Sequence, residues 1–218
     1  MYFCRQAMYS RPNFVMELLV SIGFRIGFAC FVLILIPSAL LGLGEKFATF
    51  PNAANELPSP NGRFIVRSIG YGAAPGTISG KFHALVLETR ETGKSRKLCD
   101  YLGKVMVSWA ADDVLFVNDY YTARGSRVLV FVTDETIPPL VIDRNLMVKF
   151  LDPITSRHLL RNNHVFIAAY KLEGDTLALR LWGYGTQDAK GFILSCDYSL
   201  ERNTASCRES SGTPKSAF

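Results

Sequence analysis

The alternation of apolar and polar residues divides the chain into one long apolar span and a series of strand-length runs. Ile26 to Gly44 (IGFACFVLILIPSALLGLG) passes nineteen residues without a charge. At about 1.5 Å per residue, a helix of that length reaches about 28 Å, close to the hydrocarbon thickness of a bilayer. Pro37 lies inside the span, and membrane helices tolerate an internal proline better than soluble helices do. Upstream, Phe14, Val15, Leu18, Leu19 and Ile22 recur at helical spacing within residues 1–25. Downstream, residues 45–58 hold Pro51 and Pro58 among Asn and Ala, which predicts an extended linker.

From residue 59 onward a period of two dominates. Ser59-Pro60-Asn61-Gly62 predicts a turn, because Pro fixes one backbone angle and Asn-Gly tolerates the left-handed one. Strands are predicted at Arg63–Arg67, Phe82–Leu87, Lys104–Trp109, Val114–Val117 and Val128–Val132, and together they read as an antiparallel meander. The glycine-rich stretch Gly70–Gly80 predicts a mobile loop. After Pro138-Pro139, Leu140–Ile142 and Leu146–Leu151 read as short strands. Asp152–Leu160 reads as a short helix, with Asp152 as N-cap and Pro153 at the first position. Hairpins then follow through Val165–Leu172, Thr176–Trp182, Gly191–Leu200 and Ala205–Cys207, and residues 208–218 read as a disordered tail. The fold class expected is mainly β. An N-terminal transmembrane helix precedes an antiparallel, sandwich-like two-sheet domain over residues 59–207, with at most one short helix.

Charge gives the span a direction. Arg5, Arg11 and Arg25 face a single upstream acid, Glu17, whereas Lys46 lies beside Glu45 on the other side. The positive-inside rule therefore places residues 1–25 in the cytoplasm, spans the bilayer with Ile26–Gly44, and puts the β domain outside. The location expected is a bacterial inner membrane crossed once, with the domain in the periplasm. Gly42-Leu43-Gly44 also supplies the small residues that signal peptidase requires, so a cleaved leader that releases the domain is the alternative. The long n-region and long apolar run favour the anchor. A buried helix of a soluble domain is the third option, disfavoured because so charge-free a run beside a positive flank is costly to keep in water. Removing residues 1–44 leaves 174, with 21 basic and 18 acidic side chains. The densest basic cluster, Lys94-Ser95-Arg96-Lys97, reads as a solvated turn, so no nucleic-acid partner is expected.

In an oxidising compartment, Cys196 and Cys207 could pair across the segment CDYSLERNTASC and staple two neighbouring strands, leaving Cys99 as a buried thiol. Two reduced cysteines remain the alternative. His83, His158 and His164 form no metal-ligand spacing. Asp112, Asp113 and Asp119 read as solvent-facing acids, and no Gly-x-Ser-x-Gly occurs. The GxG at Gly70 runs into strand-like residues rather than opening a helix, which argues against a phosphate cradle. No catalytic, cofactor-binding or metal residue is therefore expected. Tyr120, Tyr121, Trp182 and Tyr184 stand near strand ends, where amphipathic aromatics suit protein recognition, and they form the candidate binding surface.

The segments SPNGRFIV, HALVLETRETGKSRKL and VSWAADDVLF, all within Ser59–Phe131, resemble the turns and hairpins of TolB-like and WD-repeat-like propeller blades. A closed propeller needs at least about four blades, more than this length supplies. The resemblance thus implies blade-like hairpins in two packed sheets or one strongly bent sheet, and no catalytic residue. The function expected is non-enzymatic binding of a protein or another envelope component by a membrane-anchored periplasmic domain, for example an immunity-type inhibitor. One alternative is an envelope hydrolase whose dispersed His83, His164 and Asp113 meet in one pocket. The other is a structural subunit of an envelope complex.

Overall fold

Apolar residues placed at every second position can wet one sheet face and bury the other. Apolar residues at consecutive positions need cover on both faces. The run Val114-Leu115-Phe116-Val117 is of the second kind, and it lies at the centre of the molecule. The computed structural model describes residues 47–51, 56–73, 81–185 and 191–211. The expected span Ile26–Gly44, residues 1–25 and residues 212–218 lie outside the described residues. Among the described residues, no helix is long and apolar enough to cross a membrane.

Two sheets are formed. The smaller runs β2–β3–β4–β5 through Glu56–Pro58, Phe64–Ala73, Lys81–Thr89 and Ser95–Tyr101. The larger is ordered β1–β6–β7–β8–β10–β11–β12–β13. Its first half comprises β1 (Phe47–Phe50), β6 (Lys104–Trp109), β7 (Val114–Thr122) and β8 (Gly125–Val132), with β9 (Leu140–Ile142) paired to β8. Its second half comprises β10 (His164–Glu173), β11 (Thr176–Tyr184), β12 (Phe192–Ser199) and β13 (Thr204–Glu209). Helices α1 (Arg144–Val148) and α2 (Pro153–Arg161) link the halves.

The first half of the large sheet is a wall shared by two cores. Leu115, Val117, Leu129 and Phe131 face the small sheet and pack with Leu85, Leu87, Leu98 and Tyr101. Val114, Phe116, Val128 and Val130 face the other way and pack with Ile167, Leu179, Leu181 and Leu194. Each such side chain contributes about 1.5–3 kcal/mol by leaving water. The small sheet is also tied to the wall by polar bonds. Trp109 Nε1 donates to the Leu57 carbonyl at 3.3 Å, and Arg96 Nη2 donates to the Val132 carbonyl at 2.6 Å.

The two halves of the large sheet meet through an unusual seam. β8 and β10 are parallel neighbours at one position only, Val165 opposite Gly125. Beyond it, side chains take over from the backbone ladder. Ser126 Oγ donates to the Ile167 carbonyl and accepts from the Ile167 N–H, both at 2.7 Å. Asn118 does the same for Ala169, its amide donating to the carbonyl at 2.8 Å and accepting from the N–H at 2.7 Å. The free edge of β10 is thereby seated on the face of the β7–β8 hairpin. Buried backbone groups that a ladder would have paired are satisfied by two short polar side chains.

Several expectations need correction. The described residues carry two short helices rather than at most one, and the strand expected at Leu146–Leu151 does not form: Arg144–Val148 is helical because Asp143 caps it, accepting from Leu146 N at 2.8 Å. The linker expected at 45–58 contains β1 and β2. Phe50 is fully buried against Val105 of β6, so burial rather than proline content decides that segment. Of the loop expected at Gly70–Gly80, Gly70–Ala73 instead belongs to β3 and pairs with Lys81–His83, and residues 74–80 lie outside the described residues. Lys94–Lys97 is not a solvated turn throughout, since Ser95–Lys97 opens β5 and Arg96 is half-buried. Arg208 and Glu209, expected in the disordered tail, extend β13. The helix at Asp152 forms as expected, with Asp152 accepting from Ile154 N and Thr155 N. Cys196 and Cys207 lie directly opposite on β12 and β13 and form the disulfide, and Cys99 is buried apart from it.

Candidate functional site

Seating one sheet edge on another sheet's face leaves a re-entrant corner. On one side of β10, Val165, Ile167 and Ala169 enter the hydrophobic core, Ala169 also bordering the cavity. On the other side a cavity of about 600 Å³ opens. One wall comes from β1, β6 and β7, which contribute Thr49, Lys104, Met106 and Tyr120. The opposite wall comes from β10–β12, with Ala168, Ala169, Tyr170, Arg180, Trp182 and Ser195. The strand registers explain why these residues share a face: Thr49 lies opposite Met106, Lys104 opposite Tyr120, and Ala168 opposite Arg180.

Trp182 forms the floor, being 2% exposed, and it stacks on Phe166 at a centroid distance of 5.5 Å. Phe166 is flanked in turn by Tyr184, whose ring stacks on His164 at 4.6 Å and 11°. A ladder of rings therefore runs along the β10–β11 hairpin into the cavity. Gly183 makes this possible. A Cβ there would collide with the His164 carbonyl and the Phe192 ring, so the aromatic strand closes only with glycine at that position. Among the described residues, neither Lys104 nor Arg180 has an ion-pair partner, and the lining includes no carboxylate, imidazole or thiol. Burial pushes the Tyr120 phenol above its ordinary value, so it remains a neutral hydrogen-bonding group beside the cations.

The four aromatics singled out by sequence divide evenly. Tyr120 and Trp182 come together in the cavity from opposite walls. Tyr184 is 45% exposed on the ladder outside the lining. Tyr121 instead covers Arg127, whose guanidinium lies 5.4 Å from the ring centroid.

Arg127 belongs to a second buried polar cluster. It forms an ion pair with Asp119 at 2.8 Å, and Asp119 is 1% exposed. Asp119 is therefore not solvent-facing, in contrast to Asp112 in the β6–β7 turn. Burial raises its carboxyl above the usual carboxylate range, against the pull of Arg127. His83 lies on β4 stacked on Tyr101, His164 opens β10, and Asp113 sits in the β6–β7 turn; none of the three lines the cavity. Among the described residues, no group of three or more His, Cys, Asp or Glu could hold a metal ion.

Asn118 and Ser126, which build the corner, were not singled out from sequence. The signal was present in Asn118, a polar side chain at a core-facing position of the apolar run VLFVND. Compared with known protein families, curated proteins and solved structures, the chain matches none.

Proposed function

We propose that the chain is a non-catalytic binding protein of the bacterial envelope. Ile26–Gly44 holds it to the inner membrane, and the periplasmic β domain receives a partner in the corner between its sheet halves. An immunity-type inhibitor is the concrete version of this reading. The observation that carries it is the convergence of Tyr120 and Trp182 from opposite walls of one concave cavity. Pockets of roughly 300–1,000 Å³ with aromatic walls and a few placed polar groups are ordinary recognition sites. The Cys196–Cys207 disulfide is in keeping with an oxidising compartment.

The test is photo-crosslinking in cells. Benzoylphenylalanine in place of exposed Tyr170 at the cavity rim should give a discrete adduct, whereas the same residue in place of exposed Arg208 on β13 should not. Equal adduct patterns at the two positions would remove the cavity as the binding site. An alkaline phosphatase fused behind Phe218 should be active; an inactive, cytosolic fusion would remove the compartment.

A further inference from the structure

The cavity is also specific about charge, and this deepens the reading above and rests on it. Its lining includes an apolar set, Met106, Ala168, Ala169 and Trp182. It also carries a cation on each wall, exposed Lys104 from β6 and half-buried Arg180 from β11. What sets these two positive side chains apart is their place on facing walls of one concave cavity, whereas some other cations of the domain are neutralised locally. Arg67 pairs with Glu56 and Glu88, Lys97 with Asp100, Arg127 with Asp119, and Lys171 with Glu173. Lys104 and Arg180 instead flank a concave aromatic surface with no acid among the described lining residues.

We infer that the cavity binds an amphipathic anion, a carboxylate or phosphate carried on an aromatic or aliphatic body. The body lies against Trp182, Met106 and the Ala168–Ala169 wall, and the anionic head sits between Lys104 and Arg180. Arg180 supplies a planar fork for two parallel hydrogen bonds to such a head, and Lys104 supplies a point charge from the opposite side. Both parts of the ligand are required, since a small anion leaves the aromatic floor wet and a neutral body leaves two cations unanswered.

The probe is 4-benzoylbenzoate, with its uncharged methyl ester as control, applied to the full chain in lipid nanodiscs. Irradiated benzophenone abstracts hydrogen from a methionine side chain, and recombination of the two radicals forms a carbon–carbon bond, so Met106 is a built-in reporter of occupancy. Peptide mapping should find the carboxylate on Met106 or its cavity neighbours, with the ester at least about tenfold weaker. Lys104→Glu and Arg180→Glu should each reduce labelling by about tenfold, the scale of one lost charge-assisted bond. Lys104 is exposed, so its reversal leaves the fold intact, and near-UV circular dichroism checks Arg180→Glu. Octanoate should compete, whereas 1-octanol and acetate should not. Ester labelling equal to the acid, wild-type labelling of both charge variants, or competition by octanol or acetate equal to octanoate would each overturn the assignment. If the anion fails while the Tyr170 crosslink persists, the ligand class is wrong and the binding reading stands. If the Tyr170 adduct is also absent, both fail.

Discussion

At the residue scale, the side chains that matter most are polar groups placed where the pattern demands apolar ones. Tyr198 is fully buried on β12, packs edge-on against Phe150 at 6.1 Å and hydrogen-bonds Asn203. Burial pushes its phenol up to about 12. Between about 10, where the unfolded phenol titrates, and about 12, the native state retains a proton that the unfolded chain has lost. Stability from this group is therefore complete below pH 10 and falls as pH rises through that window, by about 2 kcal/mol once solvent screening is allowed for. Tyr121, Tyr120 and Tyr101 are also shifted upward, so the contribution has to be isolated by difference. Urea midpoints measured from pH 9 to 11.5 should decline less steeply in Tyr198→Phe than in wild type. Parallel slopes would show that the Tyr198 proton is not retained on folding.

At the element scale, the seam between the sheet halves depends on two clamps rather than on a ladder. Asn118→Ala strands the N–H and carbonyl of buried Ala169, and each stranded buried group costs about 1–3 kcal/mol. The expected loss is about 3 kcal/mol, read as a lower urea midpoint with an unchanged slope. A loss below about 1 kcal/mol would mean that β10 re-pairs without its clamp. This seam also marks how far the sequence could be read. Strand positions such as Lys104–Trp109 and Leu140–Ile142 were legible because period two and flanking turns agree there, and α2 was legible because Asp152-Pro153 is a local start signal. Helix α1 was not: Leu146, Met147 and Val148 favour a strand by type, and five residues are too few for helical periodicity to declare itself. β5 was hidden by the charges of Lys94, Arg96 and Lys97, which lie at the start of a strand whose other end is buried. Of the candidate site, the aromatics were visible, but that Tyr120 and Trp182 would meet and Tyr121 would turn away depends on the bulge between Asp119 and Thr122 and on where β10 sits. Those are properties of the assembled sheet and leave no local trace.

At the scale of the whole molecule, the arrangement is a central wall with a core on each side, and this predicts where stability is concentrated. Residues Val114–Asp119 of β7 are buried on both faces, and β8 repeats the pattern through Val128–Val132. Opening this wall exposes both cores at once, so its amides can exchange only when the whole domain unfolds. The margins differ. β2 has three residues at the edge of the small sheet, and β13 ends the large one with mostly exposed side chains. β13 also carries the disulfide to β12, which limits how far it can fray without lengthening its protection along the whole strand. Hydrogen exchange followed by mass spectrometry under native conditions should find the slowest amides in β7 and β8, with β2 and β13 faster by a factor that grows as conditions stabilise the domain. Asn118→Ala should sharpen the contrast between halves, because it loosens β10–β13 from a wall that the small sheet still covers. Slower exchange in β12–β13 than in β7 would place the stability centre in the second half and make the wall a consequence of that half's folding. The β10–β12 wall of the cavity would then be its more rigid side.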